Sequence, residues 1–355
     1  MLNISSRPSG NAGSSGLEIS STGRTTRTLL FCPPEHREKV FPEAVLDEVA
    51  RASAEGRVAV VDPVRWRESR ELLRTAKVIF ATWGMPMMDG DFLEAAPDLR
   101  AVFYAGGSVK TFVTDRVWER GIVISSAWEA NAIPVAEYSL ATILLSLKRF
   151  WHFSRAMRYE DPRLQDTPIP GAYRTKVGLV SLGAVGRATV RLLAAFDCRL
   201  FAYDPFLSAA DANRLGVTLT SLEDLFRECD VISVHAPWLP ETEGMIDGKL
   251  IASMKEGATL INTARGVVIA EAEMIAVLQE RPDLSAVLDV TYPEPPAKDS
   301  VLRSLPNVVL TPHIAGSMGL EYTRVGGWLA AELRRYLNGE PLLHSVSRDM
   351  LAHMA

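Results

Sequence analysis

The run Lys176–Ser181, made of apolar and small residues after its first, passes directly into Leu182-Gly183-Ala184-Val185-Gly186-Arg187 and then into a segment of helical period. A strand, a tight glycine turn and a helix N-terminus in series restrict a chain to the doubly wound α/β class. The same series makes an anion site, because the backbone can approach phosphates closely and the free N–H groups and helix dipole face the charge. The spacing is that of G-x-G-x-x-G with Ser181 in place of the first glycine. Serine fits such a tight turn less easily than glycine. Asp204 follows the strand-like run Arg199–Tyr203, 21 residues after Gly183, where a carboxylate can accept hydrogen bonds from adenosine ribose hydroxyls. A lone glycine turn is often a packing device, and an Asp at a strand end is often a turn residue. The ordered series favours the nucleotide reading, with Gly183, Ala184, Val185, Gly186 and Asp204 as contacts.

The rest of the chain repeats this alternation. Residues 1–26 hold seven serines and four glycines with no apolar periodicity, so they are expected to form a flexible tail. Five strands are expected at Thr28–Cys32, Val58–Val61, Lys77–Ala81, Ala101–Tyr104 and Ile122–Ser125, and six more at Lys176–Ser181, Arg199–Tyr203, Val231–His235, Thr259–Thr263, Ala286–Leu288 and Val308–Leu310. Helical segments lie between them, including one long amphipathic helix from about Pro134 to Arg158, and a Pro- and Asp-rich loop follows at 161–170. At roughly 150 residues per domain, a chain of 355 residues makes two α/β domains with parallel sheets.

Composition removes several function classes. Lys plus Arg number 38 against 43 for Asp plus Glu, with no long block of one sign, so a nucleic-acid partner is not expected. The longest apolar stretch, around Tyr138–Leu147, is about half the roughly 20 residues a membrane span needs. Cys32, Cys198 and Cys229 are scattered without a C-x-x-C pair and read as reduced core thiols of a cytoplasmic protein. His36, His152, His344 and His353 are too dispersed for a metal site, so no metal is expected.

Three further strand ends in the second half carry functional groups. They are Asn262-Thr263-Ala264-Arg265-Gly266, Asp289-Val290-Thr291-Tyr292-Pro293-Glu294-Pro295 and Thr311-Pro312-His313-Ile314-Ala315-Gly316. The carboxyl ends of parallel strands are where α/β sheets bind ligands. An Arg, a Glu and a His converging there would supply a carboxylate clamp, an imidazole partner and a proton donor. Taken singly, each is more often a surface charge or a hydrogen-bonded structural residue.

As an ordered set these strings, with His235-Ala236-Pro237-Trp238-Leu239-Pro240-Glu241-Thr242 and Asn131-Ala132-Ile133-Pro134-Val135-Ala136-Glu137, resemble the D-isomer-specific 2-hydroxyacid dehydrogenase family from about residue 76 to 340. The resemblance implies a flavodoxin-like substrate-binding domain (27–130 and 318–355) with an inserted NAD-binding Rossmann domain (131–317). It implies that Arg265 binds the substrate carboxylate and polarises the 2-oxo group, that His313 is the general acid/base and that Glu294 pairs with it. His235, Pro237, Thr263, Asp289 and Gly316 would line the NAD cleft. Backbone N–H groups of Gly107, Ser108 and Val109 would hold the substrate carboxylate opposite Arg265. The chain departs from the family pattern with Ser108 where Gly is common and Lys110 where Asp is common, which leaves the substrate open.

The activity implied is NAD-dependent interconversion of a small 2-hydroxy acid and its 2-oxo acid, with glyoxylate or hydroxypyruvate as the first candidates and a homodimer as the assembly. Formate dehydrogenase ranks low because it carries Gln where this chain has Glu294. Long phosphoglycerate dehydrogenases add a C-terminal regulatory domain that does not follow here. The competing class is an NAD(H)-sensing corepressor-like binding protein, which the three catalytic-type residues do not separate from an enzyme.

Overall fold

The computed structural model describes residues 27–53, 56–159, 168–352 and 354. The expected tail, residues 161–167 of the expected loop, and His353 lie outside the described residues. Strands β1 (Thr28–Phe31), β2 (Ala59–Val61), β3 (Val78–Ala81), β4 (Ala101–Tyr104) and β5 (Val123–Ser126) belong to the first sheet. β6 (Lys176–Val180), β7 (Arg199–Tyr203), β8 (Thr218–Leu219), β9 (Val231–Val234), β10 (Thr259–Asn262), β11 (Ser285–Leu288) and β12 (Val308–Leu310) make the second, and β13 (Ser345–Val346) returns to the first. The strand orders are β13-β5-β4-β3-β1-β2 and β12-β11-β10-β9-β6-β7-β8. The first is the flavodoxin-like order with an added edge strand, and the second is the classical dinucleotide-binding order extended by β12. The protein is therefore built of two α/β domains.

Both sheets are covered on both faces, which is why their strands read as continuous apolar runs. In β1, Leu29 and Phe31 pack on one face with Ile79, Val102 and Phe92. Leu30 and Cys32 point to the other, against Val325, Leu329 and Leu333 of the helix Glu321–Asn338. In the second sheet Val177, Val231, Ile261 and Val287 meet Ile143 and Leu147 of the helix Trp128–Leu147. That 20-residue helix is long and apolar enough to cross a membrane by length and composition, yet most of its apolar window is buried inside the protein.

The structure corrects four expectations. The long segment from Pro134 is two helices, Trp128–Leu147 and Phe150–Tyr159, because Arg149 turns to φ 50°, in the left-handed region. The helix after the glycine turn, expected over Ala188–Ala195, begins at Ala184. The second sheet has a seventh strand, β8, two residues long. The first sheet is not wholly parallel, since β13 pairs antiparallel with β5. Two-residue strands are too short to show a period of two. β13 is held by a buried acid: Glu332 accepts hydrogen bonds from Leu343 N–H at 3.1 Å, His344 N–H at 3.0 Å and Ser125 Oγ at 3.2 Å. Cys32 and Cys229 are buried and unpaired, and burial pushes the Cys229 thiol up to about 12.

Candidate active site

β6 and β9 are neighbours although β7 and β8 intervene in sequence, so the crevice beyond their carboxyl ends is a topological switch point. β6 is followed by Ser181, held at φ 75°. A Cβ on Gly186 would lie 2.3 Å from the Ser181 carbonyl oxygen, whereas Gly183 has open space in front of it. The helix Ala184–Leu193 has no side-chain cap at Gly183, which leaves its first N–H groups free for an anion. Asp204 accepts from Leu182 N–H at 2.7 Å and from Phe206 N–H at 2.9 Å. One lone pair on each oxygen is used, so acceptor capacity for a ribose remains. A non-glycine residue in the left-handed region costs roughly 1–2 kcal/mol, part of which glycine's extra unfolded-state entropy cancels. Ser181→Gly is therefore expected to raise stability by about 0.5–1 kcal/mol, read as a higher midpoint in urea; a lower midpoint would contradict the strain.

At the end of β10, Asn262 makes a local turn: its side chain donates to Arg265 O at 2.9 Å and accepts from Ala264 N–H at 3.0 Å. This bends the chain so that Arg265 leaves the strand end with its guanidinium half-buried, donating to Ala264 O at 2.7 Å. A Cβ on Gly266 would meet the Thr291 carbonyl carbon at 2.0 Å, so glycine is what lets the loop after β11 pass over this turn. That loop carries Glu294. Burial lowers the Arg265 pKa, and the Glu294 charge opposes that shift.

The loop after β12 winds around Asp289, which is 2% exposed. The Asp289 carboxylate accepts from Thr311 Oγ1 at 2.6 Å, Ile314 N–H at 2.9 Å and Ala315 N–H at 2.8 Å, and its carbonyl accepts from His313 N–H at 2.9 Å. These bonds hold His313 at φ 55° with its ring outward, the side chain 48% exposed and Nδ1 2.6 Å from Glu294 Oε1. Glu294 fixes Nδ1, which leaves Nε2 to face a ligand. His235, after β9, is buried with neither ring nitrogen hydrogen-bonded, and burial lowers its pKa to about 4. It is a neutral imidazole with donor and acceptor both unmet.

In the first domain β4 leads into Gly106, where a Cβ would lie 2.5 Å from the Tyr104 ring. The buried Ser126 hydroxyl lies 2.7 Å from the carbonyl oxygens of both Gly106 and Gly107, donating to them in turn. With those carbonyls turned toward Ser126, the N–H groups of Gly107, Ser108 and Val109 make no hydrogen bond among the described residues. The Val109 side chain is buried in the core, so only its backbone can meet a ligand. Lys110 follows, exposed and without ion pair or hydrogen bond among the described residues. Desolvation first and Arg265 second lower its pKa.

Residues 140–315 match the family model described as D-isomer specific 2-hydroxyacid dehydrogenase, NAD binding domain. The D-3-phosphoglycerate dehydrogenase of Mycobacterium tuberculosis is 34% identical over 253 residues, which is 71% of this chain and 48% of that protein. The chain belongs to the D-isomer-specific 2-hydroxyacid dehydrogenase family. The D-3-phosphoglycerate dehydrogenase of Archaeoglobus fulgidus is 31% identical over 263 residues, 73% of this chain and 49% of its own, so this chain spans about half the length of the relatives it matches. The apo form of Rhodotorula graminis D-mandelate dehydrogenase, 25% identical, aligns over 91% of this chain and 98% of its own with a TM-score of 0.76.

Residues 140–315 are the NAD-binding domain of that family, and NAD is its cofactor. The structure fits that cofactor at both ends: uncapped helix N–H groups stand at the glycine turn, and the unpartnered His235 ring stands beyond β9. Arg265, Glu294 and His313 come together, as do the elements around Gly183 and Asp204. Thr263 meets Ser139 across 3.3 Å, Pro237 O accepts from Thr242 Oγ1 at 2.6 Å, and Gly316 packs on Asn131. Asp289, expected to line the cofactor cleft, directs its carboxylate to the His313 loop. Sequence reading missed Ser126 and Asn262, which shape the two loops through local hydrogen bonds that no spacing rule announces.

Proposed function

We propose that the chain is an NAD-dependent oxidoreductase interconverting a small D-2-hydroxy acid and its 2-oxo acid. The observation that carries this reading is the 2.6 Å His313–Glu294 pair beside a partly desolvated Arg265, at the carboxyl ends of strands in the same parallel sheet as the nucleotide turn. NAD, when bound, supplies the two-electron redox chemistry. Gly183, Ala184, Val185 and Gly186 hold its pyrophosphate, Asp204 its adenosine ribose, and His235, Pro237, Thr263 and Gly316 border its reactive end. Arg265 and the N–H groups of Gly107, Ser108 and Val109 hold the substrate carboxylate, while Arg265 stabilises charge on the 2-oxygen. His313 Nε2 gives a proton to that oxygen on reduction and takes it back on oxidation. Glu294 holds Nδ1 and so orients the ring.

Glyoxylate and hydroxypyruvate remain candidate substrates, and the names of the relatives add phosphoglycerate-type acids. The assembly proposed is a homodimer in the cytoplasm, with exposed Phe150 on the helix that follows Arg149 as part of its surface. The test is loss of NADH absorbance with a panel of 2-oxo acids, repeated with NADPH. Asp204 would repel a 2′-phosphate, at roughly 1 kcal/mol in water and 4 at an effective dielectric of 20 for charges 4 Å apart. Arg214, a nearby base, is already paired with Asp211. NADH should therefore be preferred by about tenfold or more. Tight NADH binding with no turnover of any acid would overturn the enzyme reading and favour the NAD(H)-sensing one. Equal or better kcat/KM with NADPH would remove the role of Asp204.

A further inference from the structure

One buried hydroxyl sets the direction of the loop after β4. Ser126, the last residue of β5, stands opposite Tyr104 in the ladder and is 0% exposed. Its Oγ lies 2.7 Å from the carbonyl oxygens of both Gly106 and Gly107. Both peptide groups are trans, so each N–H points opposite to its carbonyl. The Gly106 carbonyl shares its plane with Gly107 N–H, and the Gly107 carbonyl shares its plane with Ser108 N–H. Those two N–H groups therefore face away from the buried hydroxyl, toward the half-buried side of the loop. A Cβ on Gly107 would meet nothing within 4 Å, which leaves room for a ligand beside them. Successive N–H groups turned to one side form an anion-binding concavity. The hydroxyl is itself fixed: Ser126 N–H donates to His344 O at 3.1 Å, and the neighbouring Ser125 Oγ lies 3.2 Å from both Glu332 Oε2 and His344 O. At the far end of the loop Val109 is buried, and its carbonyl accepts from Phe112 N–H at 3.2 Å and Val113 N–H at 3.0 Å.

We propose that Ser126 is a positioning residue for substrate binding, its hydroxyl setting the two peptide planes that aim the Gly107 and Ser108 N–H groups at the substrate carboxylate. This deepens the reading above and rests on it for the identity of the anion. The two carbonyls have no other partner among the described residues. Without the hydroxyl they are free to turn, and a turned peptide presents oxygen to the anion in place of N–H. A hydrogen bond accepted by a carbonyl also polarises its peptide group and strengthens the N–H as a donor. The carboxylate keeps its charge throughout hydride transfer, so these donors hold the ground state and the transition state alike. Their loss is therefore read in KM and not in kcat.

The experiment compares wild type with Ser126→Ala and Ser126→Cys. Cysteine keeps the shape of the side chain and replaces a strong donor by a weak one, and it carries the test if the alanine variant does not fold. With saturating NADH, KM for pyruvate, glyoxylate or hydroxypyruvate, whichever wild type reduces fastest, should rise about 10- to 100-fold in both variants, the range for a hydrogen bond to a charged group. The kcat per folded molecule should stay within about threefold of wild type, and NADH affinity should not change. Oxamate, which carries the carboxylate and is not reduced, should lose affinity for the NADH complex by the same factor in a fluorescence titration. A hydroxyl that only satisfies buried carbonyls would lower the urea midpoint and leave KM and oxamate affinity at wild-type values; that result overturns the proposal. So does a lower kcat at unchanged KM, or a wild-type KM in Ser126→Cys. If wild type reduces none of the acids yet binds oxamate with NADH, the oxidoreductase reading fails separately and the oxamate affinities decide for Ser126. A wild type that binds no oxamate removes the carboxylate site and the role of Ser126 with it.

Discussion

Replacing His313 by Gln is expected to lower kcat by about 10²–10⁴-fold, the usual contribution of a positioned general acid, while NADH still binds. Glutamine preserves a polar side chain of similar reach and has no group that gives up a proton near neutrality. The pairing explains why the loss should be so large. Nδ1 is engaged by Glu294 at 2.6 Å, so Nε2 is the nitrogen left to exchange a proton with the 2-oxygen. The residue is also held at φ 55°, a conformation that histidine tolerates better than most side chains but that still costs free energy. Its stability around Asp289 indicates that ring direction is what the loop secures. The measurement is steady-state kcat alongside an NADH fluorescence titration. Turnover within threefold of wild type would remove His313 as the proton donor, and equal loss of NADH affinity would reassign it to cofactor binding.

Asp289→Ala should produce the second large effect, in stability and turnover together. The carboxylate is the acceptor for Thr311 Oγ1, Ile314 N–H and Ala315 N–H, and the site is 2% exposed. A buried donor left unmet costs about 1–3 kcal/mol, and because Ile314 and Thr311 are partly open to water the three together are expected to cost about 3–5 kcal/mol, a large share of the 5–15 kcal/mol typical of a native protein. The fraction that stays folded should turn over roughly 100-fold more slowly, because a displacement of about 1 Å at a catalytic group has that effect. Urea unfolding and kcat per folded molecule are the readouts. Asp289→Asn keeps an acceptor oxygen and should lie between the two. Wild-type stability and turnover in Asp289→Ala would show that the loop is held by other contacts.

Much of the architecture was legible because its signals are local. The runs Thr28–Phe31, Ala101–Tyr104 and Val231–Val234 are buried at every residue, and buried parallel strands announce themselves as unbroken apolar runs. Gly183, Gly186 and Asp204 could be found because a phosphate turn imposes a spacing. The break at Lys148–Arg149 escaped notice because no Pro or Gly marks it; the chain turns at an arginine whose φ is 50°. β8 and β13 escaped because pairing two residues depends on what lies beside them. The acid in the middle of the last long helix gave no sign that Glu332 would be buried and committed to the backbone of residues 343 and 344.

The sequence by itself determined the class of fold, the order of its strands along the chain and the residue types at each strand end, since these follow from periodicity, glycine spacing and side-chain chemistry within a few residues. Tertiary structure alone decided which strand ends are neighbours. β6 meets β9 and β10 meets β11, and that adjacency brings Arg265 and Glu294, 29 residues apart in sequence, to one cleft. It also decided that Asp289 serves the His313 loop. The reason is physical: a hydrogen bond or an unscreened charge acts over a few ångströms of space, and sequence separation does not measure that distance until the sheets have formed.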